Sequence, residues 1–245
     1  MPAAVFFNVL DRVDSTNNYA MQQVHAGLAT HGMAWFAKEQ TAGRGQRGKN
    51  WESVAGKNIA LSIALQPDQL KTFNQFHLSA AIAKAIFDFF SQYAGEKTTI
   101  KWPNDLYWCD RKAGGILIET IYQGKEWKWA VAGIGININQ DDFAEGLINP
   151  VSLKQVTGKS YDVVELAREL HKKVMTGIDQ LKNTGSGNLL STYNRHLYKR
   201  NEKVRLRKNN ILFETTINSV NETGQLITID TIERAFDFGE VEWLI

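Results

Sequence analysis

The stretch Gly43-Arg44-Gly45-Gln46-Arg47-Gly48-Lys49-Asn50-Trp51 sets the reading of the whole chain. Its glycines are interleaved with two arginines and a lysine, no acid interrupts them, and a tryptophan closes the run. Glycine reaches backbone angles that other residues avoid, so successive amides can converge on one anion. The cations add charge complementarity for a phosphate or a carboxylate. Trp51 offers a flat face on which a heterocycle can stack. Taken alone, the nonapeptide reads first as a flexible, solvated basic loop. Its neighbours change that reading.

The chain has 245 residues, 43% hydrophobic and 22% charged, which is room for a large core plus a small module. A net charge of +2 means that any anion site is local and not a global field. The single cysteine, Cys109, excludes an intrachain disulfide and a cysteine-rich zinc site, and the five histidines show no metal spacing. The N-terminal residues lack the basic start and long apolar run of a signal peptide. No apolar stretch approaches the ~20 residues of a membrane span. The expected location is the cytoplasm.

Residues 1 to about 195 mix strands and helices, and those from about 200 onward read as strands throughout. Asp14 or Ser15 is placed to cap a helix ending near Gly27. Ile59, Leu61, Ile63 and Leu65 alternate with small residues, as in a half-buried strand. Leu78, Ile82, Ile86 and Phe89 recur at helical spacing, the pattern of a core helix. Residues 116–122 and 129–132 read as strands of an antiparallel hairpin turning around Gly124-Lys125. Asp162 caps a long helix carrying Leu166, Leu170, Val174 and Leu181, and Gly185-Ser186-Gly187 breaks the pattern. In the tail, turns at Asn209-Asn210 and Glu222-Thr223-Gly224 separate four or five short strands, suggesting a small barrel packed on the first domain.

Several short motifs carry chemistry, each beside a plainer reading. Asp14-Ser15-Thr16-Asn17 opens a helix, whose free amides and positive dipole end suit a compact polar group such as a urea, or simply cap the helix. Gln40 donates and accepts at once, as an amide-like ligand requires. In Lys101-Trp102-Pro103-Asn104-Asp105, Pro103 holds Trp102 extended, and the two following oxygen-bearing side chains suit Mg²⁺ escorting phosphates, or an ordinary β-turn. Lys112-Ala113-Gly114-Gly115 puts a lysine ahead of two glycines, where it can meet a carboxylate or an α-phosphate, or stand solvated. Two glycines within the strand Gly133-Ile134-Gly135-Ile136-Asn137 imply close approach of a ligand, or a bulge. This is not a dinucleotide fingerprint, since no helix follows, and residues 43–49 do not match a P-loop.

The set and its order are more specific than any member. Asp-Ser-Thr-Asn, Gln-Thr-Ala-Gly-Arg-Gly-x-Arg-Gly-x-x-Trp, Lys-Trp-Pro-Asn-Asp, Lys-Ala-Gly-Gly-Ile-Leu-Ile-Glu and Gly-Ile-Gly-Ile-Asn together strongly resemble the biotin protein ligase family. The ending Phe238-Gly239-Glu240-Val241-Glu242-Trp243 resembles the close of that family's C-terminal module. The resemblance implies an α+β fold related to class II aminoacyl-tRNA synthetase catalytic domains. It has a mixed sheet with helices over residues 1–195 and a small SH3-like β-barrel over 196–245. It implies that biotin and MgATP give biotinyl-5′-adenylate and pyrophosphate. The adenylate then acylates one lysine of a biotin carboxyl carrier protein, such as that of acetyl-CoA carboxylase.

Carried over by position, the resemblance assigns biotin contacts to Ser15, Thr16, Asn17 and Gln40. It adds the loop positions Gly43, Arg44, Gly45 and Gln46, and Lys112, Gly114, Gly115 and Gly133. It assigns the nucleotide to Arg47, Lys49, Trp51, Asn104, Asp105, Lys112 and Asn137, with Asn104 and Asp105 also the Mg²⁺ pair. Lys112, Arg44, Arg47 and Asp105 are the expected catalytic groups. Gln46 stands where many members carry a second consecutive arginine; the loop therefore holds one charge fewer, which bears on adenylate retention. Electrostatics fits this reading: a carboxylate and a triphosphate repel, and Arg44, Arg47 and Lys112 supply countercharge. The loop is expected to be mobile when empty and to order over its ligands.

The first motif begins at residue 14, so the resemblance points to the monofunctional form, without a DNA-binding domain or operator DNA and without a membrane partner. Monomer and homodimer both stay open, the latter through the 115–138 hairpin. Two other readings remain: a lipoate protein ligase of the same fold, and a non-catalytic nucleotide- or RNA-binding module using the basic loop and Trp51.

Overall fold

Alternation along Ile59–Leu65 builds the centre of the molecule. In the computed structural model, which describes residues 7–67, 75–147, 149–184 and 186–244, this segment is strand β3. Before it come β1 (Phe7–Val13), α1 (Thr16–His25), β2 (Ala34–Gln40) and a single 3₁₀ turn at Gln46–Gly48. After it come α2 (Gln75–Ala94), β4 (Thr98–Lys101), β5 (Asp105–Trp108), β6 (Arg111–Gln123) and β7 (Glu126–Ile136). The seven strands form one sheet in the order β1-β2-β3-β7-β6-β5-β4. Only β1 and β2 pair in parallel. The hairpin of residues 116–132 is therefore the middle of a longer ribbon, β6–β7.

The sheet separates two apolar clusters. Ile59, Leu61, Ile63 and Leu65 of β3 join Ile116, Ala132, Ile134 and Ile136 beneath α2 and α4 (Val163–Thr184). On the other face, Trp35, Ala64 and Val131 meet Ala20 and Val24 of α1. Being covered on both sides, β3 is buried at all seven positions and not half-buried, which corrects the expectation from its small residues. Asp162 caps α4 as expected, its Oδ1 accepting from the amides of Val164 and Glu165. Gly185 lies outside the described residues. Ser186 and Gly187 do not end the helical region but open α5 (Ser186–Arg195), because Leu189 and Tyr193 have the core to pack against.

The tail forms β8 (Lys203–Lys208), β9 (Ile211–Val220), β10 (Leu226–Ile229), β11 (Glu233–Phe236) and β12 (Glu242–Leu244). They make a five-stranded antiparallel sheet ordered β11-β10-β9-β8-β12. Asn209 and Asn210 both take positive φ (50° and 64°), the conformation a two-residue hairpin turn requires. This sheet is fastened beside the larger one. The Trp102 indole donates to the Gly224 carbonyl at 2.9 Å, and the Asn194 amide makes two bonds to the Val220 backbone. Gly224 lies flat on Phe76, where a Cβ would stand 2.6 Å from the ring. Among the described residues, no helix is long and apolar enough to cross a membrane.

Burial pushes His31, His171 and His196 below the ordinary histidine value of 6.5, for His171 despite a bond from Nε2 to the Gly32 carbonyl. As pH falls through 6.5, the unfolded chain takes up these protons and the folded one resists, so folding stability is lost. Urea midpoints measured from about pH 7.5 down to about pH 5.5, above most carboxylate titrations, are expected to fall. A constant midpoint contradicts this account.

Candidate active site

On the α1 face, the strands carry small residues where the opposite face carries isoleucines. The register aligns Lys101, Asp105, Gly115, Gly135 and Ala60 across β4, β5, β6, β7 and β3. One pleat along, Leu117, Gly133 and Ser62 form a second row on the same face. These rows are the floor of a cleft of about 970 Å³. Other groups lie directly on the bare backbone. A Cβ on Gly133 would stand 2.3 Å from Asn17 Oδ1, and one on Gly135 would stand 2.4 Å from the Trp51 indole.

The start of α1 makes a polar pocket at one end. Gln40 Oε1, at the end of β2, accepts from both the amide and the hydroxyl of Thr16, at 2.8 and 3.0 Å. It thereby satisfies one of the orphan donors of α1. Ser62 Oγ bonds Thr16 Oγ1 at 2.8 Å and Asn17 Oδ1 at 2.6 Å, and the Asn17 amide donates to Glu119 at 3.0 Å. Ser15 occupies the cap position but its side chain makes no capping bond. Ser15, Thr16, Asn17 and Ser62 are all buried.

Charge is distributed unevenly. Arg44 pairs with Glu119 at 2.8 Å and Lys112 with Asp105 at 2.7 Å. Arg47 instead sits 5.0 Å above the Phe238 ring, filling the space over Gly239, and so spans the cleft from the glycine-rich loop to the C-terminal sheet. Lys101 is buried among rings, with Nζ 4.6 Å from the centre of Tyr107, 5.4 Å from Trp243 and 5.9 Å from Tyr198. Burial lowers its pKa to about 8. The Trp51 and Trp243 indole nitrogens are buried without a hydrogen-bond partner among the described residues.

The cleft brings together Ser15, Thr16, Asn17, Gln40, Arg44, Gly45, Gln46, Arg47, Lys49, Trp51, Asn104, Asp105, Lys112, Gly115, Gly133 and Asn137. Gly43 and Gly114 do not line it. A Cβ on Gly43 would stand 2.2 Å from the Trp51 carbonyl, and one on Gly114 would stand 2.7 Å from that of Gly135, so both serve close backbone packing. The loop amides do not all converge on an anion, because Gly45, Lys49 and Trp51 donate to carbonyls within the loop. Asn137 directs its amide to the carbonyls of Lys112 and Val151. As a resident metal site, Asn104 and Asp105 fit poorly. The Asn104 amide donates to the Ile116 carbonyl, Asp105 is held by Lys112, and no cluster of three His, Cys, Asp or Glu residues exists among the described ones.

Sequence reasoning missed Ser62, Glu119, Lys101 and the wall made by the C-terminal sheet, which includes Arg207, Asn209, Phe238 and Trp243. Ser62 was readable as the one polar residue in an apolar strand. Lys101 was readable from its place ahead of Trp102-Pro103. The wall needed the tertiary fold.

Residues 9–137 match the model of the Biotin/lipoate A/B protein ligase family, a span running from β1 through β7. This chain belongs to that family. A bifunctional ligase/repressor BirA from Salmonella typhimurium is 33% identical over 187 residues, which is 76% of this chain and 57% of the relative. A biotin–[acetyl-CoA-carboxylase] ligase from Paracoccus denitrificans is 36% identical over 164 residues, 64% of this chain and 66% of the relative. The chain thus covers less than two thirds of either curated relative. The solved biotin protein ligase from Aquifex aeolicus in complex with biotin and ATP shares the fold, with a TM-score of 0.83 over 97% of both chains at 23% identity. The family match contains every strand of the cleft floor, whereas the C-terminal wall lies beyond it.

Crowding at Gly133 is directly testable. Gly133→Ala forces a methyl into Asn17 and is expected to cost about 1–3 kcal/mol in urea unfolding. Gly187→Ala, with nothing within 4 Å of its added Cβ, is expected to be neutral or stabilising. Equal effects of the two substitutions contradict the packing described.

Proposed function

We propose that the protein activates biotin with ATP to biotinyl-5′-adenylate and transfers the biotinyl group to a lysine of a biotin carboxyl carrier protein in the cytoplasm. The observation that carries this reading is the side-chain-free floor, with a polar pocket at one end and cations along the rest. A fused ureido ring offers two donors and one acceptor. Thr16, Asn17, Gln40 and Ser62 form a matching buried polar set. The dithiolane of lipoate offers no such hydrogen bonds, which favours biotin within the family. We assign acid activation to residues 1–195 and the far wall of the cleft to residues 196–245.

In the first half-reaction a carboxylate oxygen attacks the α-phosphorus, and pyrophosphate leaves with the electron pair of the broken P–O bond. Lys112, already beside one carboxylate, is placed to screen the repulsion between the two anions. Magnesium enters with the nucleotide as MgATP. In the second half-reaction a neutral carrier amine attacks the acyl carbon and AMP departs. Asp105 is the carboxylate positioned to accept the amine's proton. Arg47, reaching across to Phe238, closes the cleft against water that would hydrolyse the mixed anhydride.

Biotin-dependent exchange of labelled pyrophosphate into ATP is the direct test, with lipoic acid as the comparison. Exchange with biotin is expected. Exchange with lipoic acid alone would reassign the substrate, and nucleotide binding without exchange would reduce the protein to a binding module. Lys112→Ala is expected to lower exchange about 10²–10³-fold. Asp105→Asn is expected to slow transfer to an acceptor domain more than it slows exchange. Equal slowing of both steps contradicts the proton-accepting role.

A further inference from the structure

Arg47 and Lys101 face this cleft with their charge resting on aromatic rings and not on acids. Lys101 is the more constrained. Its cage draws Tyr107 from β5, Tyr198 from the segment before β8 and Trp243 from β12, and its Nζ bonds the Tyr107 hydroxyl at 3.1 Å. Among the described residues, no carboxylate lies within ion-pair distance of it, because Asp105, its cross-strand partner, is engaged by Lys112. Keeping an ammonium buried without a counter-anion is costly, and an arriving anion recovers that cost.

Position along the floor indicates which anion. From β7 toward the edge, the first row holds Trp51 over Gly135, then Gly115, then the Lys112–Asp105 pair, and last Lys101 on β4. Strands lie about 4.8 Å apart, so the row is about 14 Å long, the scale of an extended nucleotide. With the base at Trp51 and the α-phosphate at Lys112, the remaining phosphates point to β4.

Building on the ligase reading above, we propose that Lys101 is the seat of the β- and γ-phosphates of ATP and holds the departing pyrophosphate. Tyr198 and Trp243 of the C-terminal region fix the ammonium in place. As the bond from the α-phosphorus to its bridging oxygen breaks, the electron pair leaves on the pyrophosphate and the ammonium neutralises it; Lys101 transfers no proton. The rings hold the cation without cancelling its charge, so phosphate displaces no competing acid. The buried, unpartnered Trp243 indole nitrogen stands beside Lys101 as a second donor. Around Lys101 the charged and titratable neighbours are Asp105, Lys112, Lys49, Tyr107 and Tyr198. With a pKa near 8, Lys101 is partly discharged in mild alkali, and bound phosphate restores its proton.

Calorimetry with inorganic pyrophosphate, ATP, AMP and biotin, on wild type, Lys101→Met and Lys101→Arg, tests this assignment. Lys101→Met is expected to weaken pyrophosphate and ATP about 10- to 100-fold while AMP and biotin change less than about twofold, and Lys101→Arg is expected to recover most of the loss. Equal losses for ATP and AMP, or unchanged pyrophosphate binding, overturn the proposal. Should Lys101→Met fail to fold, ATP binding to wild type near pH 8.5, in buffers of different ionisation enthalpy, is expected to show proton uptake that Lys101→Arg lacks. No uptake by wild type overturns the proposal equally. Absence of biotin-dependent pyrophosphate exchange in wild type sinks the ligase reading itself, whereas exchange with an unimpaired Lys101→Met sinks only this assignment.

Discussion

A strip of backbone without side chains, Gly115, Gly133 and Gly135 with Ala60 and Ser62, is the constraint on which the rest of the structure depends. A strand places successive side chains on opposite faces, so one segment can build a core and a cleft together. In β7, Ile134 and Ile136 go down into the main core while Gly133 and Gly135 leave the upper face bare. In β3, Ile59, Leu61 and Ile63 do the same beneath Ala60 and Ser62. Glycine inside a strand weakens it, and here the loss is offset by burial on the opposite face. Asn17 and Trp51 rest directly on this floor, so their positions are set by the absence of a Cβ beneath them.

Above the floor, charge follows a division of labour. Arg44 and Lys112 are matched to Glu119 and Asp105, which holds the polar end and the centre of the cleft in a defined geometry. Arg47 and Lys101 rest on rings contributed in part by the C-terminal sheet, so their charge is not cancelled. The C-terminal sheet therefore belongs to the site even though the family match ends before it. Its fastening through Trp102, Gly224, Asn194 and Val220 keeps those rings opposite the cations.

Much of this was legible in the residues. The helical spacing of Leu78, Ile82, Ile86 and Phe89 and the Asn209-Asn210 turn depend on local periodicity and backbone preference, which sequence records. The motif residues gather in one cleft because each stands at the end or on the upper face of a strand or helix. What escaped was non-local. The burial of β3 on both faces depends on α1 and α4 packing from opposite sides. Gly43 and Gly114 resemble ligand contacts in sequence, yet the backbone of Trp51 and Gly135 takes that space. Glu119 as the partner of Arg44 is a long-range contact of side chains. The ring cage of Lys101 joins residues from β4, β5 and β12, a coincidence that only the fold creates.

The central claim is that ligands lie flat on this glycine floor, with the acid toward Ser62 and the nucleotide along the row from Gly135 to Lys101. A crystal structure with biotinyl-5′-adenylate bound is the most direct measurement. The account predicts the bicyclic ring over Gly133 between Thr16, Asn17 and Ser62, and the phosphate beside Lys112. An adenylate bound away from Gly115, Gly133 and Gly135, with the floor still covered by protein side chains, would contradict it.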